Sequence, residues 1–274
     1  MPIFYDTHAH LDDPKFRADL PQILERAAAV GITKVISIGT DLESSRRAVA
    51  LADQHDGVFV VVGWHPSHAH EAPEDIRSAL RGLAQHPKVV ALGETGLDYH
   101  WLPSRTGGGS AAEDDLHKQK QASLFRQHLE VAVETGLNLV IHQRESFDDI
   151  VSQLRPYVGK VRAVFHCFGE NTGRLRQVLD LGCLVSFTGI VSFKNAQAVR
   201  ETVAATPQGS FMLETDSPYL APMPYRGQRC EPAYAKEISE LVAQVRCCSR
   251  EVLSEMTCVT AEGFFPKLRS RQAA

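Results

Sequence analysis

Near its start the chain reads Ile3-Phe4-Tyr5-Asp6-Thr7-His8-Ala9-His10, a short apolar run that ends in two histidines. Alternate side chains of an extended strand point to the same face, so His8 and His10 can reach one common ion. Taken alone, a His-x-His pair is more typical of a protein surface or core. Its meaning depends on how the other strands of the chain end.

Seven further short apolar runs follow, and stretches with helical spacing separate them. Apolar strands of this kind are typical of a parallel sheet buried on both faces, and the intervening helices indicate βα units. Eight units in 274 residues predict an α/β fold, a single (β/α)8 TIM barrel of parallel strands, with an open doubly wound sheet as the alternative. The runs span residues 3–7, 34–38, 58–62, 89–92, 137–141, 161–165, 183–187 and 211–213.

Helix signals between the runs support the repeat. Apolar residues at helical spacing in residues 20–28 predict a helix that ends before Gly31. We expect the barrel to occupy residues 1–266, with residues 267–274 as a C-terminal tail.

Side chains that bind metals follow most of these runs. In a closed barrel the C-terminal strand ends lie on one face around one axis, where barrel enzymes carry their active sites, whereas an open sheet would spread them along a row. The sequence therefore predicts one metal site whose ligands are His8, His10, Glu94, His142, His166 and Asp216.

The donor types limit the metal. Imidazole and carboxylate groups together suit zinc, manganese, iron or nickel, whereas magnesium generally prefers oxygen ligands. We expect two divalent ions, of zinc, magnesium, manganese or a similar metal, and Glu94 can bridge them with its two oxygens. The alternative for His142 and His166 is that each is a hydrogen-bonded core residue that caps its strand.

Four other histidines do not follow strand runs, and we expect them to lie on the solvated surface. These are His55, His86, His117 and His128.

Composition excludes several classes of protein. A net charge of −4 provides no broad positive field for coating duplex DNA, so any nucleic-acid contact has to be local. No run of 18 apolar residues and no leader-like N-terminus is present, which predicts a soluble, cytoplasmic protein without membrane contact. The six cysteines form no CxxC pair, and we expect reduced thiols. We also expect a monomer.

With these residues assembled, the chain resembles the TatD family of metal-dependent deoxyribonucleases, within the amidohydrolase-like barrel superfamily. The resemblance runs from about residue 3 to residue 265. The segments that carry it are Asp6-Thr7-His8-Ala9-His10-Leu11-Asp12, Gly63-Trp64-His65-Pro66, Gly93-Glu94-Thr95-Gly96-Leu97-Asp98-Tyr99, Ile141-His142, Phe165-His166-Cys167-Phe168, Glu214-Thr215-Asp216-Ser217-Pro218-Tyr219 and Arg226-Gly227.

The resemblance implies a division of the ligands. One ion would be held by His8, His10, Glu94 and Asp216, and the other by Glu94, His142 and His166. It further implies phosphodiester hydrolysis, commonly of DNA and from a strand end in the manner of a 3′-5′ exonuclease. Arg226 and His65 would then lie near the substrate phosphate.

For catalysis we expect a metal-activated water to attack phosphorus, with Glu94 as the bridge and Asp216 as both ligand and proton acceptor. Arg226 has the planar fork that grips a phosphate, and its alternative is a structural pair with Glu231. Asp98 either positions a metal ligand or bonds its own backbone in a turn.

Two single positions depart from the family pattern. Cys230 stands where the family usually has Asn, which changes a polar support of the loop after the last strand. Gly263 replaces another usual Asn near the C-terminus, where we expect a structural consequence only.

The third departure is an insertion of about fifteen residues at 101–115, which contains Gly107-Gly108-Gly109-Ser110 and an acidic run at 113–115. Glycine-rich loops tolerate extra length at little cost, so a flexible, solvated loop on the catalytic face is one interpretation. The alternative is a lid or specificity loop, whose acidic run would repel a polyanion.

Two rival functions follow from the same residues. A two-metal barrel also hydrolyses amides or esters, such as small amides or aminoacyl esters, because it polarises carbonyl groups. Such barrels often bridge their metals with a carboxylated lysine, yet no lysine ends the fourth or fifth run, which favours phosphodiesters. The other rival is an inactive metal-binding barrel, which the intact ligand set disfavours.

Overall fold

The computed structural model describes residues 1–269 and has eight parallel strands, each hydrogen-bonded to the next in chain order. The predicted (β/α)8 barrel is confirmed, and the open sheet is excluded. The strands are β1 Phe4–Ala9, β2 Ile32–Ile38, β3 Val58–Val62, β4 Val89–Asp98, β5 Asn138–Arg144, β6 Ala163–Phe165, β7 Leu184–Phe187 and β8 Phe211–Leu213.

Helices alternate with the strands along the chain. They are α1 Leu20–Ala29, α2 Leu42–Gln54, α3 Arg77–Ala84, α4 Pro103–Thr106, α5 Ala111–Thr135, α6 Phe147–Leu154, α7 Thr172–Asp180, α8 Gln197–Ala205, α9 Ala235–Val245 and α10 Arg250–Phe264. The predicted end of α1 before Gly31 is confirmed; Gly31 has φ +92°, a conformation that favours glycine. None of the helices in residues 1–269 is long and apolar enough to cross a membrane.

Three strands extend further toward the catalytic face than the apolar runs indicated. The sequence predicts that β1, β4 and β5 end at polar residues, but parallel pairing continues past them, with Gly96 opposite His142 and Asp98 opposite Arg144. His8, Glu94 and His142 therefore lie inside strands, where the ladder fixes their backbone. A Cβ at Gly96 would collide with the carbonyl oxygen of His142, so only glycine allows the strands this close.

The barrel closes through the residues that carry the predicted ligands. The Asp216 amide donates to the His8 carbonyl at 2.9 Å, and the His10 amide donates to the Ser217 carbonyl at 2.7 Å. Ala9 and Ser217 form the parallel bridge between the first strand and the segment after β8. Closing the sheet thus places Asp216 beside His8 of β1 and His10 just after it.

The opposite end of the barrel is filled by apolar side chains. Ile36, Val140 and Met212 point into the barrel interior and pack with Phe264 and Phe265, which end α10. Leu268 in the following 3-10 turn is also buried. The proposed tail thus begins in packed structure; the boundary at residue 266 stays a prediction, and residues 270–274 lie outside the described residues.

The insertion after β4 contains regular structure. It forms α4 and the first turns of α5, where Ser110 and Glu113 cap each other's backbone in a capping box. Asp114 accepts hydrogen bonds from the Ser104 amide and hydroxyl at 2.9 and 2.6 Å. Two members of the acidic run are therefore engaged in local structure, because they start a helix rather than forming a free loop.

All six cysteines lie within the described residues, and each is a free thiol, as the absence of CxxC pairs predicted.

Candidate metal centre

A cavity of about 900 Å³ opens at the C-terminal ends of the strands. Five of the six predicted ligands line it, and the sixth, His8, is fully buried just beneath. The structure therefore brings together side chains that are separated by up to 208 positions in the chain.

Glu94 stands at the centre of this group. Its Oε1 atom lies 2.7 Å from His166 Nε2 and 2.8 Å from His142 Nδ1. Its Oε2 atom lies 3.3 Å from His8 Nε2 and 3.9 Å from His10 Nε2. The His65 Nε2 atom also lies 3.4 Å from Oε1. The two carboxylate oxygens thus face two different sets of imidazoles, the arrangement that a bridging ligand requires.

Asp216 closes the side of the site next to β1. Its Oδ1 atom lies 3.3 Å from His10 Nε2 and 3.6 Å from His8 Nε2. The preceding residue, Thr215, donates from its amide and hydroxyl to the buried Asp6 carboxylate at 2.9 and 2.6 Å. Asp6 therefore fixes the turn that presents Asp216, a role that the sequence did not indicate.

The residues fit a divalent metal. Both ring nitrogens of His8 are buried and have no hydrogen-bond partner among residues 1–269, a costly state that a bound cation would relieve. Ligand atoms lie within 4.8 Å of one another in three groups. These groups are His8, Glu94 and His166; His8, His10 and Asp216; and His65, Glu94 and His142.

This grouping differs in part from the implied division of ligands. His166 stacks on His8 with ring centroids 4.0 Å apart, whereas His142 lies closest to His65, at 4.4 Å. Glu94 is a member of two of the three groups. It is therefore central both to the observed grouping and to the division of ligands that the resemblance implies.

The local charges keep Glu94 ionised. Burial alone would raise its pKa, but the imidazoles of His166, His65 and His8 hold the pKa well below its usual range. In return, the Glu94 and Glu214 carboxylates raise the pKa of His166 well above its ordinary value, against the effect of burial. A buried, ionised carboxylate surrounded by imidazoles is suited to binding a cation.

Asp98 plays both of the roles that the sequence left as alternatives, contact with a candidate ligand and a bond to the backbone of a turn. Its Oδ2 atom lies 3.0 Å from His142 Nε2, which turns the other ring nitrogen toward Glu94. Its Oδ1 atom accepts the amides of His100 and Trp101 at 2.9 and 3.3 Å. One carboxylate therefore orients a candidate ligand and shapes the turn that starts the insertion.

Glu214 plays a similar part on the other side of the site, and sequence reasoning missed it. It is buried, accepts the Cys167 amide at 2.6 Å and lies 3.6 Å from His166 Nδ1. Its position two residues before Asp216, on the same face of an extended segment, was an available signal.

His65 lies among the candidate ligands rather than at the outer rim. Its Nδ1 atom accepts the Ser67 amide at 3.1 Å, and its Nε2 atom lies 3.4 Å from Glu94 Oε1. Burial lowers the pKa of His65 to about 4, so the ring is neutral near pH 7. A neutral imidazole at this position can bind either a metal or the substrate.

The surface assignment of His128 is wrong. This side chain is fully buried on the inner face of α5. Its Nε2 atom accepts the Trp64 amide at 3.0 Å, and its Nδ1 atom lies 2.7 Å from the Leu124 carbonyl. Its spacing from Leu124 on one helical face was the missed signal. His55, His86 and His117 are partly exposed and lie outside the cavity lining.

Arg226 lies away from the candidate ligands. It is exposed, does not line the cavity, and its guanidinium lies 4.1 Å from the centre of the Phe193 ring. The alternative pairing with Glu231 is wrong, because Glu231 instead binds Arg26 and Arg229, at 2.8 and 2.9 Å.

Cys230 is fully buried, and its amide donates to the Pro218 carbonyl at 3.0 Å. Burial raises the pKa of its thiol, so the side chain stays neutral. The loop after β8 is therefore held here by backbone.

Two arginines that sequence reasoning did not select do line the cavity. Arg47 on α2 pairs with Asp12 at 3.0 Å, and half of its side chain is exposed. Arg144 ends β5, and its guanidinium lies 5.4 Å from the ring centre of Trp101, which also lines the cavity.

A family model described as TatD related DNase matches residues 5–266. The chain belongs to the TatD family. The resemblance drawn from the motifs is thus confirmed, and the protein is a metal-dependent hydrolase of that family.

Relatives match the TatD chain over nearly its full length. The uncharacterized metal-dependent hydrolase YabD of Bacillus subtilis is 33% identical over 264 residues, which cover 96% of this chain and 99% of YabD. A protein of Erwinia tasmaniensis named 3'-5' ssDNA/RNA exonuclease TatD is 31% identical over 268 residues, covering 95% and 99%. The crystal structure of YJJV, a TatD homologue from Escherichia coli, superposes with a TM-score of 0.86 at 25% identity, covering 96% and 98%.

Proposed function

We propose that this TatD-family hydrolase cleaves phosphodiester bonds of DNA from a 3′ end, using two divalent ions. The observation that carries the proposal is that the two oxygens of the Glu94 carboxylate face different sets of imidazoles. Two-metal sites are used for displacement at phosphorus because they hold both the attacking and the leaving oxygen. The name of the Erwinia relative, an exonuclease of single-stranded DNA and RNA, supports the same reaction class.

We assign His8, His10 and Asp216 to one ion and His142 and His166 to the other, with Glu94 shared. Divalent ions at such a site lower the pKa of water and polarise a phosphoryl oxygen. The protein itself keeps the shared carboxylate ionised and places a buried carboxylate beside each imidazole assigned to the second ion. Asp98 does this for His142, and Glu214 lies next to His166.

Asp216 is the proposed proton acceptor. Burial works to raise its pKa, but the hydrogen bond from His10 and the neighbouring imidazoles lower it overall, so the carboxylate is ionised. Its side chain is 15% exposed, whereas that of Glu94 is 2% exposed, so Asp216 is the more accessible carboxylate. Its Oδ1 atom can therefore orient an attacking water and accept its proton.

Substrate phosphates would be bound by cations at the cavity wall. Arg47 and Arg144 line the cavity and present the planar, charged groups that grip phosphate oxygens. His65 stays a candidate because it lies beside Glu94, and Arg226 stays one at the outer edge. Carboxylates at the same rim, including Asp13 and Glu170, disfavour a second DNA strand, so the site suits a single-stranded end.

All proposed ligands come from one chain, so a monomer is sufficient for activity.

The experiment compares substrates and variants in parallel. A labelled single-stranded oligonucleotide, its duplex and a panel of amides and aminoacyl esters are each incubated with Mg²⁺, Mn²⁺ or Zn²⁺. We expect stepwise shortening of the single strand from its 3′ end, and loss of at least about 100-fold in rate for Glu94→Ala and Asp216→Asn. His86→Ala, a partly exposed histidine outside the cavity, is the matched control. Hydrolysis of the amides or esters alone would establish the rival function.

A further inference from the structure

Trp101 is an exposed aromatic side chain within the mouth of the metal cavity. It opens the inserted segment, lines the cavity and keeps 51% of its surface exposed. Ligand pockets are lined mainly by hydrophobic and aromatic side chains, so an aromatic ring on the cavity wall is placed to contact a bound ligand. We propose that Trp101 stacks on a nucleobase of single-stranded nucleic acid held in the cavity, an inference that rests on the proposed function.

The surroundings of the ring suit a nucleotide. The Arg144 guanidinium lies 5.4 Å from the ring centre, and the His100 ring meets it edge-on at 4.9 Å. A cation beside an aromatic face serves the two parts of a nucleotide, because the base stacks and the phosphate meets positive charge. Every base has such a face, so the contact requires an unpaired base but no particular sequence.

Trp101 is also fixed relative to the candidate metal ligands. Its amide donates to Asp98 Oδ1, while Asp98 Oδ2 contacts His142. A single carboxylate therefore links the turn that carries the aromatic ring to one side of the metal centre. A base stacked on Trp101 would be held at a constant offset from the reacting phosphate, which is how positioning contacts raise rates.

The rest of the insertion holds this turn in place. Glu145 accepts from His100 Nδ1 at 2.7 Å and also pairs with Arg105, while Ser104 is bonded to Asp114. The pair of Glu145 with Arg105 joins the insertion to the end of β5, and the Ser104–Asp114 hydrogen bond holds the insertion together internally. The aromatic surface is thus preorganised, which reduces the entropy lost when a base binds.

The test uses the intrinsic fluorescence of the protein. The chain has two tryptophans, and Trp64 is only 8% exposed, so the difference in emission between the native protein and Trp101→Phe reports Trp101. The native protein, loaded with Mg²⁺, is titrated with short phosphorothioate single strands that resist hydrolysis. One series carries all its bases, and the other replaces the bases near the 3′ end by abasic residues of equal charge. Binding itself is followed by the anisotropy of a label at the 5′ end.

We expect the strand with bases to quench Trp101 emission saturably and the abasic strand to bind without quenching. Trp101→Ala should weaken binding of the strand with bases about tenfold and leave the abasic strand unchanged, while Trp101→Phe retains most of the affinity. Leu116→Ala, which removes a 55% exposed apolar side chain outside the cavity, is the matched control and should change neither.

The outcomes separate this inference from the proposed function. Hydrolysis of native single strands without quenching, or equal losses on both strands in Trp101→Ala, would overturn the stacking role alone. Quenching and binding without any hydrolysis would support stacking and overturn the nuclease. Neither binding nor hydrolysis of single strands would overturn both.

Discussion

Glu94 has neighbours that explain both its charge and its proposed role. It is 2% exposed, yet five imidazoles lie within 4 Å of its two oxygens. An isolated carboxylate would not stay ionised at this depth, so the neighbouring imidazoles are what make the charge tolerable. Each oxygen of the Glu94 carboxylate can therefore face a separate positive charge.

Asp98 provides a prediction about a positioning residue. Because it orients His142, Asp98→Asn should weaken binding of one of two metals and reduce activity by about 10- to 100-fold. Excess metal should restore part of the loss, which a folding defect would not show. Activity is measured as a function of metal concentration, together with the thermal midpoint.

The control for this variant is Asp149→Asn. Asp149 accepts a hydrogen bond from the Tyr99 hydroxyl at 2.7 Å and does not line the cavity. An Asp98→Asn protein with unchanged metal dependence would contradict the positioning role.

Sequence reasoning selected the six candidate ligands because each lies at or beside a strand end, and a barrel gathers strand ends. It missed Asp6, Glu214 and His128, since their roles depend on hydrogen bonds to residues that are distant in sequence. Arg226 was selected by a motif, but chain geometry places it over Phe193 and outside the cavity.

At the level of elements, α5 supports the catalytic face through one histidine. The His128 ring accepts the Trp64 amide just after β3, and burial lowers its pKa to about 4 from an ordinary value of 6.5. The ring must stay neutral for this contact. The helix thus fixes the segment that carries His65.

This contact predicts a specific pH dependence of stability. Between pH 6.5 and about 4 the unfolded chain binds a proton at His128 that the folded protein does not, so the free energy of unfolding falls as pH falls. The shift corresponds to about 3 kcal/mol at most. Urea unfolding of the native protein and His128→Gln at pH 7 and pH 5 measures the part of this change that falls between those pH values, about 2 kcal/mol.

The native protein should lose more stability than His128→Gln over this interval, although His128→Gln starts less stable at pH 7. Subtracting the loss of stability in His128→Gln from the loss in the native protein removes the contributions of the other histidines. Equal losses in both proteins would show that His128 is not held neutral.

The sequence predicts which strands exist better than it predicts where they end. The apolar run of β3 was located to the residue, since Val58–Val62 is uniformly apolar. The apolar run that predicts β4 stops at Leu92, six residues before the observed end, because Gly93 and Glu94 interrupt it. Pairing with β5 overrides that local signal, and an exposed glycine run likewise concealed the start of α5.

At the scale of the whole molecule, one end of the barrel contributes packing and stability, and the other carries the candidate metal site. Apolar side chains from α10 fill the N-terminal end, and the candidate metal ligands occupy the other. Phe264 is fully buried in the former, so Phe264→Ala should destabilise the protein by about 3–5 kcal/mol.

Because Phe264 does not line the cavity, the folded fraction of this variant should keep its metal content and specific activity. Denaturant unfolding and metal analysis check both parts. Val259→Ala, at a 62% exposed position of the same helix, is the control. A loss of bound metal in the folded Phe264→Ala protein would show that the two ends are coupled.

The proposed mechanism requires Glu94 to serve two ions at once. Anomalous diffraction from crystals loaded with Mn²⁺ tests it directly. We predict two peaks about 3.5–4 Å apart, each within bonding distance of a different Glu94 oxygen, and at most one peak in Glu94→Ala. A single peak at full occupancy in the native protein, or two peaks that do not contact Glu94, would contradict the account.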